Sequence, residues 1–346
     1  MRGLAAWWVV FFHFAESAAS FIPDWMHRLF SKGYLAVDLF FILSGFVIFI
    51  SYHDGFRKLN CRGYFYFLAK RLARIYPLHL LLLILFISAP VAIQYFSTAK
   101  DLHGRFELSY FTQSLFLVQN WGFSDGLDWN IPAWSISTEL GAYLLFPIMC
   151  FLINQSLFGR EVLVVGLMLG TFLVLALIFH IAQAGSIGDK IPELGLVRCV
   201  LEFFSGVALG KLFASGSRIL NEGRYLHVIL AALIIGTGIW CDWPDYLFMP
   251  VAFMFVISFL ISTETAISDW LASPVVYFIG RISYSTYLCH DLIRDWIKFL
   301  SRSMGPAQML AYVVLVMLSS IALYFLVEEP SRRNLNRIIK RHEGEN

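Results

Sequence analysis

The sequence predicts an all-α, polytopic membrane helix bundle of about ten transmembrane helices, with amino and carboxyl termini cytoplasmic. Of its 346 residues, 58% are hydrophobic and only 14% charged. The mean hydropathy is +0.68. Apolar runs near the roughly 20 residues needed to cross a bilayer recur along the whole chain. They lie at 3–22, 33–52, 72–97, 134–154, 161–182, 193–213, 225–241, 244–262, 274–298 and 307–327. Residues 1–333 read as one transmembrane domain and 334–346 as a basic cytoplasmic tail, with no internal repeat or long linker.

The first run, MRGLAAWWVVFFHF, sets Arg2 and His13 eleven residues apart. On a helix that is nearly one face, with about 16 Å of rise between them. Arg2 then falls at a membrane surface and His13 near mid-depth, where an ionisable group costs about 2.5–3.5 kcal/mol and reads as a functional site. The second run enters from outside, with Asp38 about 7 Å below its start. Its Ser44, beside Gly45, reads either as a helix-packing pair or as a nucleophile.

The stretch leading into the third run and its first residues hold Arg57, Lys58, Arg62, Lys70, Arg71 and Arg74, and the tail holds Arg332, Arg333, Arg337, Lys340 and Arg341. Both are assigned to the cytoplasm by the excess of basic residues there. In RLARIYPLHL, Arg71 and Arg74 share a helix face and either mark the cytoplasmic surface or clamp phosphates with paired guanidinium forks. Tyr76 precedes Pro77, which is expected to kink the helix, and His79 reads as structural. The connection 98–133 falls outside, rich in acids and with an apolar piece, Tyr110–Trp121, expected to form a partial helix.

The fourth run, WSISTELGAYLLFP, carries Trp134 and Glu139 near the outer side. The stretch 263–272 is the one exception to the charge pattern, with Glu264 and Asp269 but no base. In the ninth run, Arg281 and His290 lie nine residues apart on opposite faces, and Tyr284 and Tyr287 are expected to hold Arg281 by hydrogen bonds. The tryptophans Trp121, Trp129 and Trp134 read as interfacial anchors or as platforms for sugar rings.

Taken together, bases able to hold phosphates collect on the cytoplasmic side, carboxylates towards the outside, and a histidine between them. Such an arrangement suits a transfer reaction across the membrane, or a proton-coupled transporter or exporter without chemistry of its own. The five cysteines have no paired spacing, four of them lying in apolar runs, and no metal-ligand cluster, phosphate loop or nucleic-acid motif is present.

Six strings in order resemble the acyltransferase 3 family of integral-membrane acyltransferases. They are RGLAAWWVVFFH, VDLFFILSGFVI, RLARIYP, WSISTELGAYLLFP, SYSTYLCH and VEEPSRR. The resemblance implies a ten-helix enzyme, in a bacterial inner membrane, that moves an acyl group from cytoplasmic acetyl-CoA to a hydroxyl of a cell-surface polysaccharide, oligosaccharide or lipid-linked sugar. It implies His13 as the catalytic residue and Arg2, Arg71 and Arg74 as donor-binding residues, and it adds Glu139. A catalytic role for Glu139 or Asp38 would be to orient the imidazole and stabilise its charged form. His290, Arg281, Trp134, Tyr76 and Ser44 complete the candidate set. The expected partners are acyl-CoA inside, a glycan acceptor outside and membrane lipid. A separate extracytoplasmic protein is a further candidate partner, because the esterase-like domain fused to some relatives is not expected here. No metal and no nucleic acid are expected.

Overall fold

A computed structural model describes residues 1–58, 60–96, 106–154, 161–262, 265–301 and 305–344. Among the described residues the chain is helical, with no strand. The helices are α1 (Arg2–Ala18), α2 (Asp24–Ser31), α3 (Ala36–Tyr52), α4 (Cys61–Phe86), α5 (Ser88–Phe96), α6 (Leu108–Leu115), α7 (Trp134–Asn154) and α8 (Glu161–Ile181). They continue as α9 (Ile191–Ala214), α10 (Arg218–Glu222), α11 (Arg224–Trp240), α12 (Met249–Ser262), α13 (Ala266–Ala272), α14 (Pro274–Leu300), α15 (Pro306–Leu323) and α16 (Glu329–Gly344). A π-helical turn, Tyr324–Glu328, joins the last two.

Five stretches are long and apolar enough to cross a membrane: Asp24–Phe56, Cys61–Ala92, Ile131–Asn154, Glu161–Ile181 and Pro306–Lys340. A sixth is added if Met249–Ser262 and Ala266–Ala272 count as one bent span. The chain is therefore a multi-pass membrane protein.

Several boundaries differ from those read in the sequence. α4 begins at Cys61, so Arg62, Lys70, Arg71 and Arg74 are helical rather than part of a loop, and α4 runs through Pro77 without ending. Basic side chains hide this start from a hydropathy reading, although lysine and arginine are good helix formers. The basic tail is likewise helical, as α16. The apolar piece at 110–121 supplies α6, while residues 97–105, with Asp101, Lys100 and Arg105, lie outside the described residues, as does Glu264.

The chain divides into two compact units, 1–36 with 66–137 and 274–346, and 37–65 with 138–273. In the first, α1 packs along α14. An added Cβ on Gly3 would stand 2.7 Å from the Ile279 backbone, so the two helices touch main chain to main chain there. Further along, His13 meets His290. Residue numbers rise together in both helices, so α1 and α14 run in the same direction. Leu83, Phe86, Tyr110 and Trp129 form a buried cluster beneath the connection that precedes α7. That connection is pinned by Asp128, whose carboxylate accepts from the backbone N–H of Phe106 and Glu107, each at 2.6 Å.

In the second unit, α3 and α9 cross through two glycines. A Cβ on Gly45 would stand 1.9 Å from the Phe203 carbonyl oxygen, and one on Gly206 would stand 2.0 Å from that of Ile42. Such close approach is how small residues let membrane helices pack where burial of apolar surface from water gives no drive. Gly206→Val should therefore destabilise the protein by about 3 kcal/mol. The check is thermal unfolding of the purified protein in detergent, and an unchanged unfolding temperature would mean that the crossing is not this tight.

Candidate active site

The first unit gathers a chain of polar side chains on α1 and α14. His290, Arg294 and Lys298 follow one another at four-residue intervals on one face of α14. His290 is fully buried. Its ring lies 5.0 Å from that of His13, centroid to centroid, inclined at 42°.

The hydrogen bonds assign the tautomers of both rings. His290 Nδ1 lies 2.7 Å from the Tyr287 carbonyl oxygen, so it carries a proton and donates. In a neutral ring, Nε2 then keeps its lone pair, and it has no hydrogen-bond partner among the described residues. His13 has the opposite arrangement. Its Nδ1 accepts from Arg294 Nη1 at 2.9 Å, so the proton of the neutral ring sits on Nε2.

Arg294 is held in turn by Asp291 at 2.5 Å and Asp295 at 3.4 Å. Asp291 is fully buried and also accepts from the Ile131 N–H. The turn before α7 is tied to the same part of α14, since Asn130 donates to the Leu288 carbonyl and Tyr287 bonds to Ser135 at 2.8 Å. Beyond Arg294, a cavity of about 230 Å³ is lined by Asp295, Trp296, Lys298 and Phe299 of α14 and by Ala89 and Ala92 of α5.

At the other end of this unit, Arg74 pairs with Glu328 at 2.7 Å, and Glu328 also accepts from Ser285. Arg74 thus has one arm of its guanidinium, Nη1, on a carboxylate. Arg71 lies over the Phe67 ring, 5.9 Å from its centroid. Arg2 begins α1 beside the point where Gly3 meets Ile279. Arg281 donates to the Tyr324 hydroxyl rather than to the tyrosines of its own helix. Tyr284 instead donates to the Ile75 carbonyl, and Tyr287 serves Ser135. Tyr76 and His79 both bond to carbonyls at the end of α6, Leu115 and Ser114, and act as structural tethers.

The second unit holds the two carboxylates, each with a partner. Asp38 pairs with Arg198 at 2.7 Å, both side chains being fully withdrawn from solvent, and Arg198 also donates to the Ile187 carbonyl. Glu202, one helical turn from Arg198, is buried with them. Glu139 accepts from the Ser44 hydroxyl. Within the first unit, the His13 imidazole bonds to Arg294.

Arg294, Asp291, Arg198 and Glu202 were not singled out in the sequence. Their signal is periodic: Asp291 and Arg294 are three apart and Arg198 and Glu202 four apart, the spacings at which opposite charges face each other on a helix.

A family model described as an acyltransferase domain matches residues 1–325. The chain belongs to the acyltransferase 3 family. Membership makes it a membrane acyltransferase and sets aside the exporter without chemistry. Among relatives of this acyltransferase, MdmB of Streptomyces mycarofaciens, named an acyltransferase, is 27% identical over 342 residues, covering 88% of this chain and 82% of its own. OatA of Staphylococcus aureus (strain NCTC 8325), named an O-acetyltransferase, is 25% identical over 336 residues, again 88% of this chain. The match spans 53% of the OatA length, about half. No solved structure matches the chain.

The Asp38–Arg198 pair allows a clean test of the second unit. Arg198→Met leaves a buried carboxylate without its cation and should cost about 3–5 kcal/mol of stability, whereas Asp38→Asn combined with Arg198→Met should recover much of it. Thermal unfolding of the three proteins in one detergent measures both effects. Equal losses in the single and double variants would show that the two charges are not coupled.

Proposed function

We propose that this acyltransferase moves an acetyl group from cytoplasmic acetyl-CoA to a hydroxyl of a cell-surface polysaccharide, oligosaccharide or lipid-linked sugar in a bacterial inner membrane. The reading includes ten crossings with both termini cytoplasmic. The parallel run of α1 and α14 supports it, because two parallel helices need an even number of crossings between their starts. The names of MdmB and OatA support acyl and O-acetyl transfer. The observation that carries the chemistry is the His13–His290 pair with its complementary tautomers.

In this mechanism the acceptor hydroxyl gives its proton to the lone pair on His290 Nε2 as its oxygen attacks the thioester carbonyl. His13 Nε2–H faces the developing charge on the carbonyl oxygen and donates to it. The C–O bond forms, the C–S bond breaks, the thiolate takes the Nε2 proton of His13, and the proton received by His290 passes to His13, so nothing is left over. Arg294 keeps the His13 proton on Nε2, and Asp291 holds Arg294. Arg2, Arg71 and Arg74 lie on the donor side of the unit, with Arg74 acting through Glu328. In the second unit, Asp38 and Glu139 fix Arg198 and Ser44, and in the first unit Trp134 serves the acceptor side.

Purified protein in nanodiscs with labelled acetyl-CoA and a glycan acceptor provides the test. His13→Ala and His290→Ala should each lower thioester consumption by about 10²-fold or more, the range in which a positioned acid or base acts. Consumption equal to wild type in either variant removes that histidine from the mechanism.

A further inference from the structure

The first unit contains a second cavity, of about 340 Å³, where the π-helical turn meets α14 and α16. Its lining includes Arg281, Arg333, Arg337, Asn334 and Phe325, and Glu329 is its only carboxylate among the described residues. The volume falls within the roughly 300–1,000 Å³ of small-ligand sites.

The cavity is built by the π turn. In an α-helix, residues five apart point about 140° away from each other, whereas a π turn, closed by i→i+5 bonds, brings them much nearer to one face. Tyr324 and Glu329 are five apart and hydrogen-bonded, with the Tyr324 hydroxyl donating at 3.3 Å. The same hydroxyl oxygen accepts from Arg281 Nη2 at 2.7 Å and from Nε at 3.1 Å. On the other side, Glu329 accepts from Arg333 Nε at 2.6 Å and from Arg332. Tyr324 and Glu329 thus hold Arg281 and Arg333 by part of each fork, and these bonds do not use Arg333 Nη1 and Nη2 or Arg281 Nη1. Arg337 adds a third guanidinium one turn after Arg333, on the same face of α16. Three guanidinium groups over one carboxylate, each with planar donors, fit the oxygens of more than one phosphate.

We propose that this cleft binds the nucleotide phosphates of coenzyme A. The inference rests on the acyl-CoA reading above and deepens it by locating the anionic end of the donor. Arg281 and His290 stand nine residues apart on α14, about 13 Å of helix rise. The two lie on opposite faces of α14, so an extended pantetheine arm has to pass around the helix as well as along it to place the thioester beside the histidine pair. Phe325 gives the cleft an apolar wall for the base. A phospholipid headgroup offers the same phosphate chemistry, and the experiment separates the two.

Full-length protein in nanodiscs of phosphatidylcholine is titrated with coenzyme A and with pantetheine, which lacks the nucleotide. Arg333→Gln with Arg337→Gln should weaken coenzyme A binding by about tenfold or more, the loss expected from charge-assisted hydrogen bonds, and bring it towards that of pantetheine. Arg337→Gln alone, a change at an exposed side chain, should give a smaller loss in the same direction, and Arg337→Lys less still. Coenzyme A affinity equal in wild type and double variant overturns the proposal while leaving the acyl-CoA reading intact. The same equality, accompanied by loss of bound phosphatidylglycerol from the double variant in mixed-lipid discs, overturns it in favour of a lipid phosphate. Absence of coenzyme A binding and of acetyl-CoA consumption in wild type overturns the acyl-CoA reading and this site with it.

Discussion

Arg294 is the interaction on which the candidate site depends. Its guanidinium stands between the buried carboxylate of Asp291 and the Nδ1 of His13. A guanidinium cannot lose its proton in a protein, so the nitrogen facing it must accept. A carboxylate in the same place would do the reverse, drawing the proton to Nδ1 and leaving Nε2 as the base. The choice of Arg294 therefore sets the chemistry of His13 as a donor, and it moves the lone pair of the site to His290, whose Nδ1 is committed to the Tyr287 carbonyl.

The same logic of paired burial organises the rest of the molecule. Asp38 and Arg198 are 160 residues apart in the chain, and Arg74 and Glu328 are 254 apart, yet each pair is in direct contact. Isolated charges at such depth would be costly, and a charge left alone costs more than the pair contributes. These pairs consequently act as registration points, favouring one rotation and one height for each helix against its partner. Apolar side chains alone select weakly among such alternatives when neighbouring lipid is equally apolar.

Hydropathy made the helices legible: a helix lies over each apolar run. It failed at basic helices. The start of α4 at Cys61 and the whole of α16 are rich in lysine and arginine and look like loop or tail in a hydropathy profile. The site was legible in its residues and not in its pairings. His13, His290, Asp38 and Glu139 each stand out in an apolar run, but nothing local says that Asp38 meets Arg198, or that Arg294, rather than a carboxylate, meets His13. Such contacts are set by which helices neighbour each other. Arg281 shows the limit well, since its partner Tyr324 belongs to a π turn whose extra residue per turn breaks the 3.6 periodicity on which face assignments rest.

The proton balance of the proposed reaction gives the histidine pair a further meaning. A hydroxyl and a thioester become an ester and a thiol with no net proton gained or lost, but the proton leaves one substrate and must reach the other. If donor and acceptor enter from opposite sides of the membrane, a single base at the reacting carbon has to release its proton in the direction from which it did not receive it. Two imidazoles 5.0 Å apart, one carrying an Nε2 proton and the other an Nε2 lone pair, already hold both halves of such an exchange. His290 receives from the acceptor while His13, having stabilised the carbonyl oxygen, gives its Nε2 proton to the leaving thiolate. Passing the proton from His290 to His13 then restores the starting tautomers, and Arg294, fixed by Asp291, resets the direction for the next cycle.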